Sequence, residues 1–379
     1  MLTRAAVTDA AQTNPSRCEL VIKRIVVTGA SGNVGTALLR RLTEADADYE
    51  ITGIARREPP PKDVYRHVEW HQLDLADDDA ESKLSGIFRG FDCVVHLAWG
   101  FQPTRNVRYL YDVGIRGTSA VLRAAHSAGV PHLIHMSSLG TYAPGRYGKK
   151  VDESWSTAGL STSAYSRAKA AAEQLLDDYE SAQPDGVGIT RLRPGLIVQR
   201  DAAAGLRRYT LPAYINPAWL RWLPVLPLDR SLTVSMIHTD DVAQACFKAI
   251  ERRALGPFNL AAEPPVTRDD IARALGAKPV HVPAALLGPL VQASWRARLQ
   301  PIDRGWFDMA FSAPLLDTTR ARDVLDWSPR YSSLQALSQL VDGLLHDSGT
   351  PSPVLRPRSL LTAVTRDASR GPVTTRRVP

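Results

Sequence analysis

Tyr165 and Lys169 stand four residues apart in "YSRAK", at the head of a segment rich in alanine. On a helix that spacing puts both side chains on one face, with Cβ atoms about 6 Å apart. A phenol has a pKa near 10, and proton exchange at neutral pH asks for about three units less, roughly 4 kcal/mol. A neighbouring ammonium is a group that can supply this help. The pair reads as an acid/base device, although tyrosine and lysine at this spacing also meet by chance on many helices. Its meaning depends on what else the chain provides.

A second chemical signal is "VVTGASGNVG", where Gly29, Gly32 and Gly35 follow an apolar strand and open a helix. Gly29 permits a tight turn, Gly32 lets backbone approach a pyrophosphate, and Gly35 lets the helix pack closely on the strand. The helix N-terminus offers N–H groups to an anion. About twenty residues on, "ITGIARR" ends the next strand. An NAD-selective site places an acid there to hold the ribose hydroxyls. Here Ala55 stands in that place, followed by Arg56 and Arg57. A guanidinium can grip a 2′-phosphate with paired, charge-assisted hydrogen bonds, which points to NADP in preference to NAD. The alternative is two arginines facing solvent, partly neutralised by Glu58.

The elements that must position these groups alternate. Apolar strands "VIKRIVVTGA", "YEITGIAR", "HVEWHQLDL", "GFDCVVHLAW", "PHLIHMSSL" and "VGITRLRPGLIV" are separated by amphipathic helices. That alternation implies parallel pairing with right-handed crossovers, an α/β doubly wound sheet. Beyond residue 200 the regularity fades into "RYTLPAYINPAWLRWLPVLPLDRSL" and "HVPAALLGPLVQASWRARL", the material of a smaller lobe. Trp219 and Trp222 there suit a lid or wall over a cleft, or a membrane-facing surface.

Composition narrows the class. Hydrophobic residues make 44% of the 379 and charged ones 22%, as in a soluble globular protein. No apolar run has the length of a membrane span. The first residues lack an apolar core of signal-peptide length. Cys18, Cys93 and Cys246 show no metal spacing, and a cytoplasmic setting with no bound metal is expected. The net charge of +7 is concentrated in a Pro-, Ser- and Thr-rich end bearing Arg356, Arg358, Arg366, Arg370, Arg376 and Arg377. That end reads as a flexible, solvated tail, and nothing in the body reads as a nucleic-acid module.

With "LDL" at 73–75, "HLAW" at 96–99, "SSLGTY" at 137–142, "RPG" at 193–195 and "IHTDDVA" at 237–243 added, the chain from about 22 to 330 resembles the extended short-chain dehydrogenase/reductases, the NAD-dependent epimerase/dehydratase type. The resemblance implies a Rossmann-type fold with a C-terminal substrate-binding lobe. Expected are a disordered extension over 1–20, a dinucleotide-binding domain over 21–200, a mixed lobe over 201–346 interleaved with the last sheet elements, and a disordered basic tail over 347–379. It assigns Tyr165 as proton donor or acceptor at a carbonyl or alcohol. Lys169 would lower its pKa and hydrogen-bond the nicotinamide ribose, and Ser138 would hold the reacting oxygen, unless it only caps a turn. Asp74 would meet the adenine, or else cap the helix after it. The implied cofactor-binding set also takes in Ser31, Asn33, Val34, Leu75, Leu97, Ala98, Trp99 and Pro194. His96 and His135 read as core residues, and Asp240 and Asp241 as groups that cap and position the helix after them.

Three positions depart from the family pattern. Gly114 stands where an Asn that holds a relay water is usual, so a water in that space or Asn106 would take its place, or the site is impaired. Trp99 replaces a small residue beside the cofactor. Val234 falls where sugar-nucleotide enzymes carry an arginine for the diphosphate. The expected function is hydride transfer on a small-molecule carbonyl or alcohol. A nucleotide-sugar epimerase or dehydratase is the alternative, and a non-catalytic dinucleotide-binding regulator the second. A homodimer through the helices bearing Gly114 and Tyr165 is usual in the family.

Overall fold

The runs RIVVT, CVVH and HLIHM lack the alternation of a half-exposed strand, and both of their faces are buried. They form the centre of a seven-stranded sheet in the computed structural model, which describes residues 24–45, 48–100, 106–146, 148–210 and 217–357. Its order is Gly256–Leu260, Gly188–Pro194, His132–Met136, Cys93–His96, Arg24–Thr28, Glu50–Ala55, Glu69–Gln72. All neighbouring pairs are parallel. Val27, Val95 and Ile134 face one core layer with the helices Asn33–Thr43 and Thr239–Arg252. Val26, Val94 and Leu133 face the other, with Ala80–Ile87 and Gly117–Ser127. This is the doubly wound sheet expected from the alternation. Chain order reverses between Arg24–Thr28 and Cys93–His96, the switch point where such sheets open a ligand crevice.

The sixth expected strand, "VGITRLRPGLIV", is two strands. Gly195 donates its N–H to Leu260 O at 2.9 Å, and a Cβ there would stand 2.5 Å from Ser235 O. Only glycine lets the backbones approach so closely, and past it the chain leaves the large sheet. Leu196–Val198 joins Thr233–His238 in parallel, which pairs antiparallel with Ala262–Thr267. Helix Ser333–Leu345 covers this small sheet through Ala336, Leu337 and Leu340. A ribbon of Val225–Leu228 with Lys278–His281 and helices Ala284–Arg296 and Arg304–Ser312 complete the lobe. Trp219 and Trp222 are 60% and 82% exposed, so they stand out in solvent rather than wall a cleft.

Two further expectations change. His238, not an aspartate, caps Thr239–Arg252, its Nδ1 accepting from Asp240 N at 3.2 Å. Asp240 pairs with Arg40, and the Asp241 carboxylate accepts the N–H groups of Arg330 and Tyr331. Residues 347–357 are not a free tail. Ser352 is fully buried with its Oγ donating to Ser31 O at 2.6 Å, and Leu355 is buried beside it. A hydroxyl bond to the glycine loop and an apolar anchor fix a segment that composition alone marks as mobile. Residues 1–23 and 358–379, with the rest of the expected extension and tail, lie outside the described residues. Among the described residues no helix is long and apolar enough to cross a membrane.

Candidate functional site: a glycine-lined cavity beside a Ser–Tyr–Lys cluster

A cavity of about 260 Å³ opens at the switch point. Gly29 turns the chain there with φ +71°, and a Cβ on it would lie 2.7 Å from Ala98 N. Gly32 precedes the helix Asn33–Thr43 in extended conformation, with no side chain capping the helix N–H groups. A Cβ on Gly35 would lie 2.5 Å from the carbonyl oxygens of Gly29 and Ala30, so helix and strand touch only because it is glycine. This bare, uncapped cradle fits a pyrophosphate. Asn33 is fixed at the cavity by Gln199 Nε2, 2.7 Å from its Oδ1, and by Thr239.

Of the expected cofactor residues, Gly29, Ser31, Gly32, Asn33, Arg56, Arg57, Asp74, Leu75, Leu97, Ala98 and Trp99 line this cavity. Val34, Gly35, Pro194, Tyr165 and Lys169 do not. Val34 and Gly35 are buried in the helix behind the loop, and Pro194 is the buried last residue of the strand Gly188–Pro194. Arg56 donates to the Tyr109 hydroxyl at 2.8 Å, and that hydroxyl donates to Asp74 at 2.9 Å. Asp74 also accepts from Ala76 N at 3.1 Å, while the helix Ala80–Ile87 begins at Asp79. Asp74 therefore braces the cavity rim and is not that helix's cap. Burial pushes the Tyr109 phenol up to about 12, against the pull of Arg56.

Tyr165 opens the helix Ala164–Ala182, and Ser138 follows the strand His132–Met136. The Ser138 Oγ accepts from Gly140 N at 3.0 Å and hydrogen-bonds Tyr165, so it caps a turn and meets the phenol at once. Trp306 covers the tyrosine ring at 4.9 Å between centroids. Its helix comes that close because a Cβ on Gly305 would lie 2.5 Å from Thr162 O. Burial pushes the Tyr165 phenol up to about 12, partly offset by Ser138. Lys169 is the residue expected to lower it. Its Nζ donates to Met136 O at 2.7 Å and sits 3.4 Å from the centre of the Trp99 ring. Burial draws the lysine well below its ordinary value, and the Glu173 charge opposes that.

Beneath the cluster lies a network not read from the sequence. Glu173, fully buried one turn after Lys169, receives two Arg193 bonds at 2.9 Å and the Ser137 hydroxyl at 2.5 Å. Burial alone would raise its carboxyl, but Arg193 holds it below the ordinary value. Ser137 is thus structural, and the arginine of "RPG" has a buried role. The spacing Lys169–Glu173 was the available signal. Tyr109, Gln199, Trp306 and the 347–357 segment carried none, since each reaches the site across the fold.

Gly114 leaves no room for a relay water. A Cβ there would stand 3.0 Å from Cη2 and Cζ2 of Trp99, so the indole fills that space. Asn106 is engaged elsewhere, its Oδ1 accepting from Tyr109 N at 3.2 Å as a helix cap. His96 is a core residue bonded to Thr28 and Thr118, and burial takes it down to about 3.

The sequence model of the NAD-dependent epimerase/dehydratase family matches residues 25–261. An uncharacterised protein of Mycobacterium tuberculosis H37Rv is 28% identical over 321 residues, 83% of this chain but only 29% of that protein's length. The L-arabinose 1-dehydrogenase (NAD(P)(+)) of Haloferax volcanii is 29% identical over 240 residues, 58% of this chain and 89% of that enzyme. Among solved structures, UDP-glucose 4-epimerase of Thermotoga maritima shares the fold with TM-score 0.65 at 20% identity, covering 86% of this chain and 99% of that one. By the extent of the family match and the motifs that carry it, the chain belongs to the NAD-dependent epimerase/dehydratase family.

Proposed function

We propose that the chain is an NADP-preferring oxidoreductase of a carbonyl or alcohol, with Tyr165 as its acid/base. The observation that carries this reading is the meeting of Tyr165, Ser138 and Lys169 at the end of strand His132–Met136, beside the glycine-lined cavity. The bound dinucleotide supplies or takes the hydride. Ser138 holds the substrate oxygen, and Tyr165 Oη gives that oxygen a proton on reduction or removes it on oxidation. Lys169 orients the nicotinamide ribose, and Arg56 with Arg57 takes the 2′-phosphate. Trp306 keeps water from the phenol. The curated dehydrogenase relative supports an oxidoreductase sense by its name. For a nucleotide-sugar enzyme, Val234 is a poor fit: it pairs with Val266 where an arginine would grip the diphosphate.

The test is a spectrophotometric screen of aldehydes, ketones and nucleotide sugars with NADPH and NADH. The expected result is NADPH consumption with at least one carbonyl. Conversion of a nucleotide sugar without net consumption of added cofactor would transfer the chain to the epimerase reading.

A further inference from the structure

The cavity opened by the glycine loop stops short of Lys169. Trp99 lines it, and the Lys169 Nζ lies 3.4 Å from the centre of the indole on the side of the catalytic cluster. The ring stands edge-on to Tyr165 at 6.5 Å and to His135 at 6.1 Å. Glycine at 114 is what lets it lie there, since a Cβ would press on Cη2 and Cζ2 at 3.0 Å. Indole and glycine thus form one unit between the dinucleotide cavity and the amine.

Three features mark this as a position the ring can leave rather than a fixed wall. A wall would match apolar atoms with apolar atoms. Here Nε1 of Trp99 and both ring nitrogens of His135 are buried without a hydrogen-bond partner among the described residues, an arrangement that costs free energy. The ring also covers an amine whose one hydrogen-bond acceptor among the described residues is Met136 O, and a π face accepts N–H groups less well than an oxygen does. The indole is itself only half-buried, with the cavity on its open side.

We propose that Trp99, seated on Gly114, is the gate of the nicotinamide subsite. In the position described, the cavity admits the adenosine and pyrophosphate half of a dinucleotide. The nicotinamide riboside enters as the indole swings off Lys169 and ribose hydroxyls take its place. The inference rests on the dinucleotide reading above. It means that the intact cofactor binds more weakly than its contacts allow, by the fraction of chains with the gate open.

The test compares NADP⁺ with 2′-phosphoadenosine 5′-diphosphate, which keeps the pyrophosphate and lacks the nicotinamide riboside, by calorimetric titration of wild type, Trp99→Ala and Gly114→Ala. Trp99→Ala is expected to bind NADP⁺ about tenfold tighter, with the fragment's affinity changed by less than about twofold. Gly114→Ala, which presses on the ring and disfavours its seat, is expected to tighten NADP⁺ in the same selective way. In wild type, NADP⁺ but not the fragment should change the tryptophan emission, and Trp99→Phe should lack that change. Equal or weaker NADP⁺ binding by both the alanine variants, with fragment binding intact, would overturn the gate and make the indole a wall. Failure of wild type to bind the fragment, NADP⁺ or NAD⁺ would overturn the dinucleotide reading, and the gate with it.

Discussion

Arg56 is held by the Tyr109 hydroxyl, which is held in turn by Asp74, and all three line the cavity rim. A guanidinium fixed in this way is ready for a 2′-phosphate, with Arg57 beside it. NADPH should therefore bind more tightly than NADH by about 1–3 kcal/mol, roughly ten- to a hundredfold, in titrations at moderate salt. Ala55→Asp combined with Arg56→Ala should reverse the preference, and Tyr109→Phe should reduce it. Equal binding of NADH by the unmodified chain would show that the arginines face solvent. The arginines could be read from "ITGIARR" because strand end and charge are local. Tyr109 could not, since only the fold brings it across to Arg56. Lys169 teaches the same at shorter range. Spacing placed it on the face of Tyr165, but not which acceptor its Nζ would choose.

The segment 347–357 acts as a strap. Ala204 N donates to Ser348 O at 2.9 Å, Arg207 pairs with Asp347 at 3.2 Å, and Ser352 reaches the phosphate loop. Val354 and Leu355 form part of the cavity wall. Truncation after Asp347 should cost about 2–4 kcal/mol, from the Leu355 burial and the Ser352 hydrogen bond, and should weaken dinucleotide binding. Unfolding and titration of the truncated chain check both, and unchanged values would mean the strap is incidental. Most elements were legible because the central buried strands are mainly apolar and lack the alternation of a half-exposed strand. The strap was not, because a few anchors hold a segment whose composition is that of a coil. Nor was the break at Gly195, whose cause is the distant Ser235 carbonyl.

At the scale of the molecule, three histidines are locked neutral in the sheet. Burial lowers His96 to about 3 and His132 to about 4, and His135 falls well below 6.5. Unfolding frees each to take a proton once the pH is below 6.5, so the unfolded chain then binds more protons and stability falls with pH. The loss runs from 6.5 down to the folded values. At about pH 5 it should reach up to about 2 kcal/mol per histidine. Urea unfolding at neutral and mildly acid pH measures it, and equal stability would contradict the neutral, buried assignment. The sheet that locks these histidines also presents Ser138 to Tyr165 beside the cavity. Tyr165→Phe removes one phenolic oxygen and leaves the ring under Trp306. Turnover of Tyr165→Phe against wild type, on a carbonyl found in the screen, is the direct measurement. The predicted result is a fall of about a hundredfold or more with dinucleotide affinity kept, and turnover above about a tenth of wild type would contradict Tyr165 as the acid/base.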